Sequence, residues 1–400
     1  MHIVIHTQYY PPEVGAPQSR LSELAQGLVH SGYKVTVLTS MPNYPQGKIY
    51  PGYGGILKIE KMQGVRVIRT AIYPTQKISI LPRLANYFSF VLSSWLIGGW
   101  YIEKSDYILT ESPPLFLGIT GYFLSRWKGA HWIFNVADLW PESAVRLGVL
   151  KNGFLLWLNQ VLECFFYNKA WAVTGQSRTI LENIHNRFSD VHTYHLSNGV
   201  DISLFGPDKG NTEAELLLNI DGHVTAIYAG LHGLAQGLNQ VLLASEILQD
   251  LRELKIVFIG DGPEKIKLVA KANELSLINV RFIDPVPKSK IPALLATADI
   301  CIVPHKTFIP GAVPSKLYEA MATERPVVLV AEGEAAQIVN NSLCGVVVEP
   351  GDIEGLAHAI RHLALNPEDR KKMGLAGRQV ALACYNREDI VESFASFLDG

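Results

Sequence analysis

Short, almost wholly apolar runs alternate along this chain with longer segments in which apolar residues recur every three or four positions. The short runs are typical of strands buried on both faces of a sheet, and the longer segments are typical of the helices that cover it. In the first half the strand-like runs are HIVIHT, YKVTVLTS, GVRVIRTA, DYILTE, HWIFNV and AWAVTG. In the second half they are VTAIYAG, KIVFIGDG, NVRFID, DICIVPH, PVVLVAE and GVVVE.

This alternation predicts an α/β chain with two doubly wound, Rossmann-like parallel sheets. The segment SNGVDISLFGPDKGNTEAE lies between the halves and is rich in Gly, Asn, Asp and Pro, which is typical of a linker. Open sheets of this kind bind ligands beyond the carboxyl ends of their strands, where the strand order reverses. We therefore expect the chemistry in the loops that follow strands, and two facing sheets would enclose a cleft.

Two of these loops carry glycines that could approach a phosphate. Gly15 lies just before a predicted helix in PPEVGAPQSRL, and a helix start offers free N–H groups and a positive dipole end. A plain tight turn explains Gly15 equally. Gly260 and Gly262 flank Asp261 in FIGDGPE, which lacks the dinucleotide-binding spacing. Taken alone, that segment is an ordinary connection from strand to helix.

The segment VPSKLYEAMATERPVVLV places Lys316 and Glu319 near the start of a predicted helix. The unpaired amides of that start and the charge of Lys316 suit a diphosphate, and Glu319 could accept hydrogen bonds from two ribose hydroxyls. The alternative is an ion pair on a solvated helix face. The apolar neighbours of both residues favour the nucleotide clamp.

The segment FNVADLWPESAV places Asp138 directly after a strand. Its carboxylate could accept a proton or hold a sugar hydroxyl, or Asp138 or Ser143 could cap the helix that follows. Glu111, in TESPPL, is a weaker candidate of the same kind. Asn198 and Gly199, in LSNGVD, are adequately explained by a turn.

Residues 84–102, LANYFSFVLSSWLIGGWYI, contain no charge and are about long enough to cross a bilayer. Apolar residues recur at helical spacing, whereas Asn86, Ser89 and Ser93 gather on another face. The helix could pack on its own sheet, lie partly in a membrane surface, or span the membrane. The apolar segments LFLGITGYFLSRW and GFLLWLNQVLECFF lie in the same half, so a partner on the lipid side is plausible.

Composition narrows the functional class. The chain has 400 residues, of which 48% are hydrophobic and 18% charged, as expected for a globular protein of two domains. The net charge of −2 gives no reason to expect nucleic acid. The cysteines are widely spaced, without a zinc or disulfide pattern, and the opening MHIVIHTQYYPPE shows no signal-peptide pattern, so we expect no leader. We expect a cytoplasmic protein, with a peripheral position on the inner face of the plasma membrane as a second option.

Together, the motifs resemble the family 4 retaining glycosyltransferases of the GT-B architecture over nearly the whole chain. The resemblance is carried by the loop around Gly15, NGVD, IGDGPE and PSKLYEAMATERPVVLV. DLWPES with AGLHGLAQGL resembles the bacterial exopolysaccharide and O-antigen branch, which includes L-fucosamine transferase-like proteins. The resemblance implies an acceptor-side domain, 1–203 with a returning C-terminal helix at 386–400, and a nucleotide-sugar domain, 204–385.

The resemblance also implies the reaction and the site. A hexose would move with retention from a UDP-sugar, UDP-glucose or a related UDP-hexose, to a saccharide acceptor linked to a lipid, in cell-surface polysaccharide synthesis. Glu319 would bind the ribose and Lys316 the diphosphate. The implied donor site contains Gly15, His232, Gln236, Gly260, Pro285, Val286, Gly311, Ala312, Val313, Lys316 and Glu319, and the catalytic residues are Asp138 and Lys316.

The chain departs from the family pattern at three positions. Gly311 replaces the first glutamate of the paired-glutamate motif, and Leu231 and Gln236 replace a common Arg and Lys. The phosphate charge would then be met by Lys316, helix dipoles and backbone amides, with help from His232. Because no D-x-D run follows a strand, we expect no metal and no other cofactor.

Two other functions remain open from the sequence. A sugar-nucleotide 2-epimerase shares the two-domain plan but needs no apolar acceptor platform, so residues 84–102 count against it. A non-catalytic subunit that binds a nucleotide-sugar is the alternative that the three departures favour. A NAD-dependent dehydrogenase is disfavoured, because no strand is followed by G-x-G-x-x-G.

Overall fold

The computed structural model describes residues 1–76, 80–140, 142, 153–219 and 222–400. The described chain divides into two compact units. Unit 1 comprises Met1–Ser197 and Glu388–Gly400, and unit 2 comprises Asn198–Arg387. Each unit is built on its own largely parallel sheet, which confirms the prediction of two doubly wound α/β domains.

Unit 1 contains an eight-stranded sheet in the order β3-β4-β2-β1-β5-β6-β7-β8. Neighbouring strands are parallel except β3 and β4, which are antiparallel. The strands are β1 His2–His6, β2 Lys34–Ser40, β3 Leu57–Met62, β4 Val65–Thr70, β5 Tyr107–Ser112, β6 His131–Val136, β7 Ala172–Gly175 and β8 Thr193–His195. The helices are α1 Ala16–His30, α2 Ile80–Ser93, α3 Leu117–Lys128, α4 Gly153–Lys169 and α5 Arg178–Arg187.

Unit 2 contains a six-stranded sheet, parallel throughout, in the order β11-β10-β9-β12-β13-β14. The strands are β9 Val224–Ala229, β10 Leu254–Ile259, β11 Val280–Ile283, β12 Ile300–Pro304, β13 Val327–Val330 and β14 Gly345–Val348. The helices are α6 Thr212–Leu218, α7 Leu238–Ile247, α8 Lys265–Glu274, α9 Ile291–Thr297, α10 Ser315–Ala322, α11 Glu334–Ser342, α12 Ile353–Leu365 and α13 Pro367–Cys384. The last helix, α14 Arg387–Asp399, begins at the border of the units.

Local sequence sets several helix starts. The side chain of Asn211 accepts a hydrogen bond from Ala214 N at 2.9 Å and so caps α6, and Asp352 caps α12 by accepting from Gly355 N at 2.8 Å. Ser177 caps α5 in the same way. Each side chain satisfies an amide that the helix itself leaves unpaired, which defines where the helix begins.

Helix α2 packs on unit 1 through polar and apolar side chains together, since Phe90 and Val91 are buried in an apolar cluster beside the polar contacts. Asn86 accepts from Gln8 Nε2 at 2.9 Å, and Ser93 shares a hydrogen bond of 3.0 Å with Thr70. The helix continues as a π-helical segment, Ser94–Gly98, and a last α-helical turn. Of the alternatives left open for this helix, packing on its own sheet describes only part of its apolar side, because Leu92, Trp95 and Leu96 are exposed.

A membrane-spanning helix would need both length and a nearly continuous apolar character. Among the described residues, no helix combines the two to the degree that a bilayer crossing requires.

Helix α14 completes the core of unit 1. Phe394 is fully buried among apolar side chains of α1 and the neighbouring strands. Two tyrosines hold the helix end, since Tyr33 Oη donates to Ala395 O at 3.0 Å and Tyr107 Oη donates to Leu398 O at 2.5 Å. A side chain at Gly27 of α1 would collide with Val391, so the two helices approach closely.

We expect Phe394→Ala to lower the free energy of unfolding of unit 1 by about 3–5 kcal/mol, because it leaves a cavity in a packed core. Urea unfolding followed by circular dichroism measures this loss. Phe154→Ala is the matched control, since Phe154 is 67% exposed and its truncation should cost within about 0.5 kcal/mol. Equal losses in the two variants would show that α14 is not part of the core.

Candidate functional site

The sheet of unit 2 has its topological switch point between β9 and β12. Strand β9 pairs with β10 on one side and with β12 on the other, and the chain winds outward from there in both directions. The connections that follow β9, β10 and β12 therefore share one sheet edge, which is where open α/β sheets bind ligands. Most of the predicted donor residues lie in these connections.

Lys316, in the first turn of α10, lies against the end of β9. A Cβ atom built on Gly230 would lie 2.3 Å from Lys316 Cε and 2.7 Å from Nζ, so a side chain at position 230 would displace the lysine. The ammonium group is also 5.8 Å from the centre of the Tyr228 ring. Burial lowers the pKa of Lys316, and the charge of Glu319 acts against this shift.

The start of α10 presents backbone amides at the same edge. Pro314 occupies the N-cap position and has no side-chain acceptor, and the first bond of the turn runs from Leu317 N to Pro314 O at 3.0 Å. Gly311 has a positive φ of 75°, which suits glycine. Glu319 lies one turn further along α10 and is partly buried. Amides and one ammonium group together form a surface suited to an anion.

His232 connects the loop after β9 with the loop after β10. Its backbone N–H donates to Asp261 O at 2.8 Å, and its carbonyl accepts from Glu264 N at 3.0 Å. The imidazole is fully buried, and within the described part of the chain neither ring nitrogen has a hydrogen-bond partner. Burial lowers the pKa of His232 to about 4, with a further lowering by Lys265.

Gly260 lets these loops meet. A Cβ atom at position 260 would lie 2.0 Å from Gly230 O and 3.4 Å from His232 Nε2. The φ of Gly260 is +138°, which other residues rarely adopt. The predicted residues His232, Gly260 and Lys316 are thus brought together around Gly230, which no sequence motif singled out.

The other predicted donor residues lie further out in unit 2. Gln236 follows in the loop after β9, with a buried side-chain oxygen. Pro285 is exposed and Val286 is partly buried in the connection after β11, the edge strand beyond β10. Ala312 and Val313 lie just before α10, where Ala312 N donates to Ile309 O at 3.1 Å. The loop around Pro285 therefore lies at the outer side of this sheet edge.

His305 is a residue that the sequence patterns did not reveal. It follows β12 directly, its N–H donates to Val330 O at 2.8 Å, and its carbonyl accepts from Gln240 Nε2 at 2.9 Å. Burial lowers the pKa of His305 to about 4, and the charge of Lys316 lowers it further. The sequence does show a histidine directly after a strand, which could have identified His305. The run DICIVPH by itself, however, predicts only a strand and does not show that the strand lies at the switch point.

The remaining predicted residues belong to unit 1. Gly15 lies at the start of α1 in extended backbone, and the side-chain oxygen of Gln18 would be 2.4 Å from a Cβ atom there. Asp138 lies in a bend directly after β6 and is partly buried. Ser143, the alternative helix cap, lies outside the described residues.

Glu111, the weaker candidate, is a core residue. Its carboxylate accepts hydrogen bonds from Arg20 and Asn135, and Thr174 donates to the amide oxygen of Asn135 at 2.6 Å. Glu111 is only 1% exposed, and burial raises its pKa while Arg20 and Asn135 oppose the shift. This buried network joins α1, β5, β6 and β7 beneath the carboxyl edge of the sheet.

A protein metal centre is built from several His, Cys, Asp or Glu side chains that converge on one point. In the part of the chain that the structure covers, no three such side chains gather closely enough to hold an ion.

Comparison with protein families gives one match for each half of the chain. Residues 15–199 match the family described as glycosyl transferase 4-like domain. Residues 217–380 match the family described as glycosyl transferases group 1. The two matches together account for most of the chain.

Individual proteins extend this likeness over the full length. The chain is 26% identical to the putative colanic acid biosynthesis glycosyl transferase WcaI of Escherichia coli over 416 aligned positions, covering 100% of both chains. Its fold is similar to sucrose-phosphate synthase from Thermosynechococcus elongatus, with a TM-score of 0.79, 19% identity and coverage of 99% and 98%. Anabaena HepE, solved in complex with UDP, gives a TM-score of 0.74 at 17% identity, covering 100% of both chains.

The low pKa values of His232 and His305 predict a loss of stability in acid. A lowered pKa in the folded state gives stability that is complete above about pH 6.5 and is lost as the pH falls towards 4. We expect urea unfolding to show this loss in the wild type and to show a smaller loss in His232→Asn, by about 3 kcal/mol between pH 7 and pH 4.

The exposed His358 provides the control, and His358→Asn should follow the wild type across the same pH range. If His232→Asn and the wild type lost stability in parallel, His232 would not be the buried neutral group described above.

Proposed function

Since this chain is a glycosyltransferase of the group 1, GT-B type, we propose that it transfers a hexose from a UDP-sugar to a saccharide acceptor with retention of configuration. The observation that carries the donor assignment is the packing of Lys316 over Gly230 beside the uncapped start of α10. A fixed cation and free amides at a sheet switch point suit a diphosphate leaving group. The complex of Anabaena HepE with UDP supports a uridine nucleotide.

The proposed donor site divides the nucleotide-sugar between three regions. Lys316 and the first amides of α10 would bind the diphosphate, and Glu319 would accept hydrogen bonds from the two ribose hydroxyls. Backbone groups of residues 311–313 would lie beside the sugar, because Gly311 offers no carboxylate. His232 has unpaired ring nitrogens close to Gly260 and would support the phosphate-binding loops.

In the proposed reaction the acceptor oxygen forms a bond to the anomeric carbon on the face that the diphosphate leaves. The bond from that carbon to the diphosphate oxygen breaks, and the diphosphate takes the electron pair. The acceptor proton passes to a phosphate oxygen of the donor. Lys316 and the amides of α10 stabilise the charge that develops on the leaving group. We expect no requirement for a divalent cation.

Asp138, in unit 1, would orient the acceptor or the donor sugar through its carboxylate, or accept the acceptor proton. The acceptor we propose is a growing saccharide carried on a lipid, in the synthesis of a cell-surface polysaccharide. The likeness to WcaI, whose description places it in colanic acid biosynthesis, supports this class of product. The assignment of this chain to the L-fucosamine transferase-like branch stays a prediction.

We expect Lys316→Ala and Glu319→Ala each to weaken UDP binding by about tenfold or more, because each removes a charged hydrogen-bonding group. Calorimetric titration with UDP, GDP and UDP-glucose measures the effect and the base preference. The matched control is the exposed pair Lys271 and Glu274, which has the same spacing on α8 and an Nζ–Oε1 distance of 2.9 Å. Alanine at either control position should leave binding unchanged.

If well-folded Lys316→Ala bound UDP as tightly as the wild type, the donor site would have to lie elsewhere. Slow release of UDP from UDP-glucose without acceptor should accompany binding in the wild type, since water can replace the acceptor. Binding without any such release would favour the non-catalytic scaffold.

We expect Asp138→Asn to lower the transfer rate by about 100-fold while UDP affinity stays unchanged, because Asp138 belongs to the acceptor-side unit. Radiolabelled sugar transfer to a lipid extract, together with titration by UDP, separates the two effects. Asp190→Asn, at an exposed position of unit 1, is the control. A normal transfer rate in Asp138→Asn would remove this residue from the mechanism.

A further inference from the structure

Three helices of unit 1 expose aromatic side chains, most of which contact a ring on a neighbouring helix. We define the aromatic face as Phe88, Trp95, Trp100, Phe123, Trp127 and Phe165. Their exposed fractions range from 38% for Phe88 and Phe165 to 75% for Trp100. They come from α2 with its extension, from α3 and from α4.

The aromatic face is continuous across the helices. Between α2 and α3, ring centres are 5.8 Å apart for Trp95 and Phe123 and 5.1 Å apart for Trp100 and Trp127. Tyr122 bridges α3 to α4, with its ring centre 5.1 Å from that of Phe165. An apolar surface shared by three elements is larger than the scattered exposed residues that any protein carries.

The orientation of α2 shows that this exposure is built into the fold. A helix on a protein surface ordinarily turns its apolar stripe to the core and its polar residues to water. Here Asn86 and Ser93 bond to the sheet side, as described above, while Trp95 and Trp100 point away from it. Gly98 and Gly99 allow this packing, because a Cβ atom at either position would collide with Leu38 or Trp127. Helix α2 thus buries Phe90 and Val91 together with its polar groups, and the helix with its extension still leaves Trp95 and Trp100 exposed.

The charges around the aromatic face are of one sign. Neither 80–102 nor α3 contains an acidic residue, whereas Arg83, Arg126 and Lys128 are basic. Lys128 Nζ lies 4.4 Å from the centre of the Trp127 ring. The acidic residue of α4, Glu163, is buried and paired with Arg187. The acid that follows the helical extension, Glu103, is paired with Lys34.

We propose that the aromatic face docks on an anionic phospholipid bilayer. Tryptophan and other aromatic rings favour the boundary between headgroups and acyl chains, and long basic side chains reach the phosphates from there. Anionic lipid adds attraction for each Lys or Arg near the surface. A second copy of this chain is a poorer occupant, because it would bring the same basic residues together, and the exposed carboxylate of Glu103 is already paired with Lys34 and Arg66.

This inference rests on the proposed function in one respect: membrane docking would bring unit 1 to an acceptor carried on a lipid. Docking itself requires neither nucleotide nor sugar transfer. Its test therefore measures membrane binding alone, and failure of the donor assignment would leave the result unchanged.

The test is cosedimentation of the full chain with vesicles of phosphatidylglycerol and phosphatidylethanolamine, compared with vesicles of phosphatidylcholine. We expect the wild type to prefer the anionic vesicles, and the double variant Trp95→Ser/Trp100→Ser to bind them about tenfold more weakly or worse. Arg126→Gln/Lys128→Gln should also bind more weakly, by about fivefold for each charge.

The matched control is Ile266→Ser/Ile278→Ser, which removes two exposed apolar side chains from unit 2 and should bind vesicles like the wild type. Circular dichroism and urea unfolding check that every variant is folded. The proposal is overturned if the wild type does not bind vesicles, if it binds phosphatidylcholine equally well, or if the aromatic variant binds like the wild type. A wild-type dimer that the aromatic variant dissociates, without vesicle binding, would assign the face to a second copy.

Discussion

The close packing of Lys316 on the backbone of Gly230 is the constraint on which the candidate donor site depends. Lys316 can lie across the end of β9 because Gly230, the residue that follows the strand, has no side chain. The same glycine carbonyl is approached by Gly260 from the neighbouring strand end, so two backbone segments and one ammonium group share a small volume. The partly buried charge is tolerated because Glu319 lies one turn along the same helix. The anchoring of the cation is therefore a property of the whole sheet edge.

Unit 1 also has a buried charge near its switch point, but there the charge is neutralised by an ion pair within the core. Between β1 and β5 the buried charge of Glu111 is matched by Arg20, and the remaining carboxylate oxygen is held by Asn135. A buried ion pair supplied with further hydrogen bonds is costly to break, because either partner alone would be left charged and unsatisfied. Unit 1 thus keeps its charged pair inside the core, and Asp138 lies partly exposed beyond the next strand.

Much of the fold could be predicted from the sequence, because strands that are buried on both faces consist almost entirely of apolar residues. The strands that were missed are those that burial does not mark. Strand β3 lies at the edge of the sheet with charged residues in LKIEKM, and β8 has three partly buried residues. Within the candidate site, the sequence singled out Lys316 at a helix start and His232 and Gly260 after strand ends. It was not predicted at Gly230 or His305, because their roles arise from strand order, which no local pattern contains. The exposure of Trp95 and Leu96 beside the buried Phe90 stayed open in the sequence, because periodicity identifies the faces of a helix but not which one meets the sheet.

The return of α14 to unit 1 has a consequence for how the protein is made. Unit 2 is one continuous stretch of chain, whereas unit 1 takes Phe394 and its neighbours from beyond the whole of unit 2. During synthesis on the ribosome, the sheet of unit 1 emerges long before α14, the helix that packs against α1. Until then the apolar side chains that later contact α14 face water, where chaperones can recognise them. The order of synthesis therefore allows unit 2 to fold to completion first, although it is the second unit in the sequence.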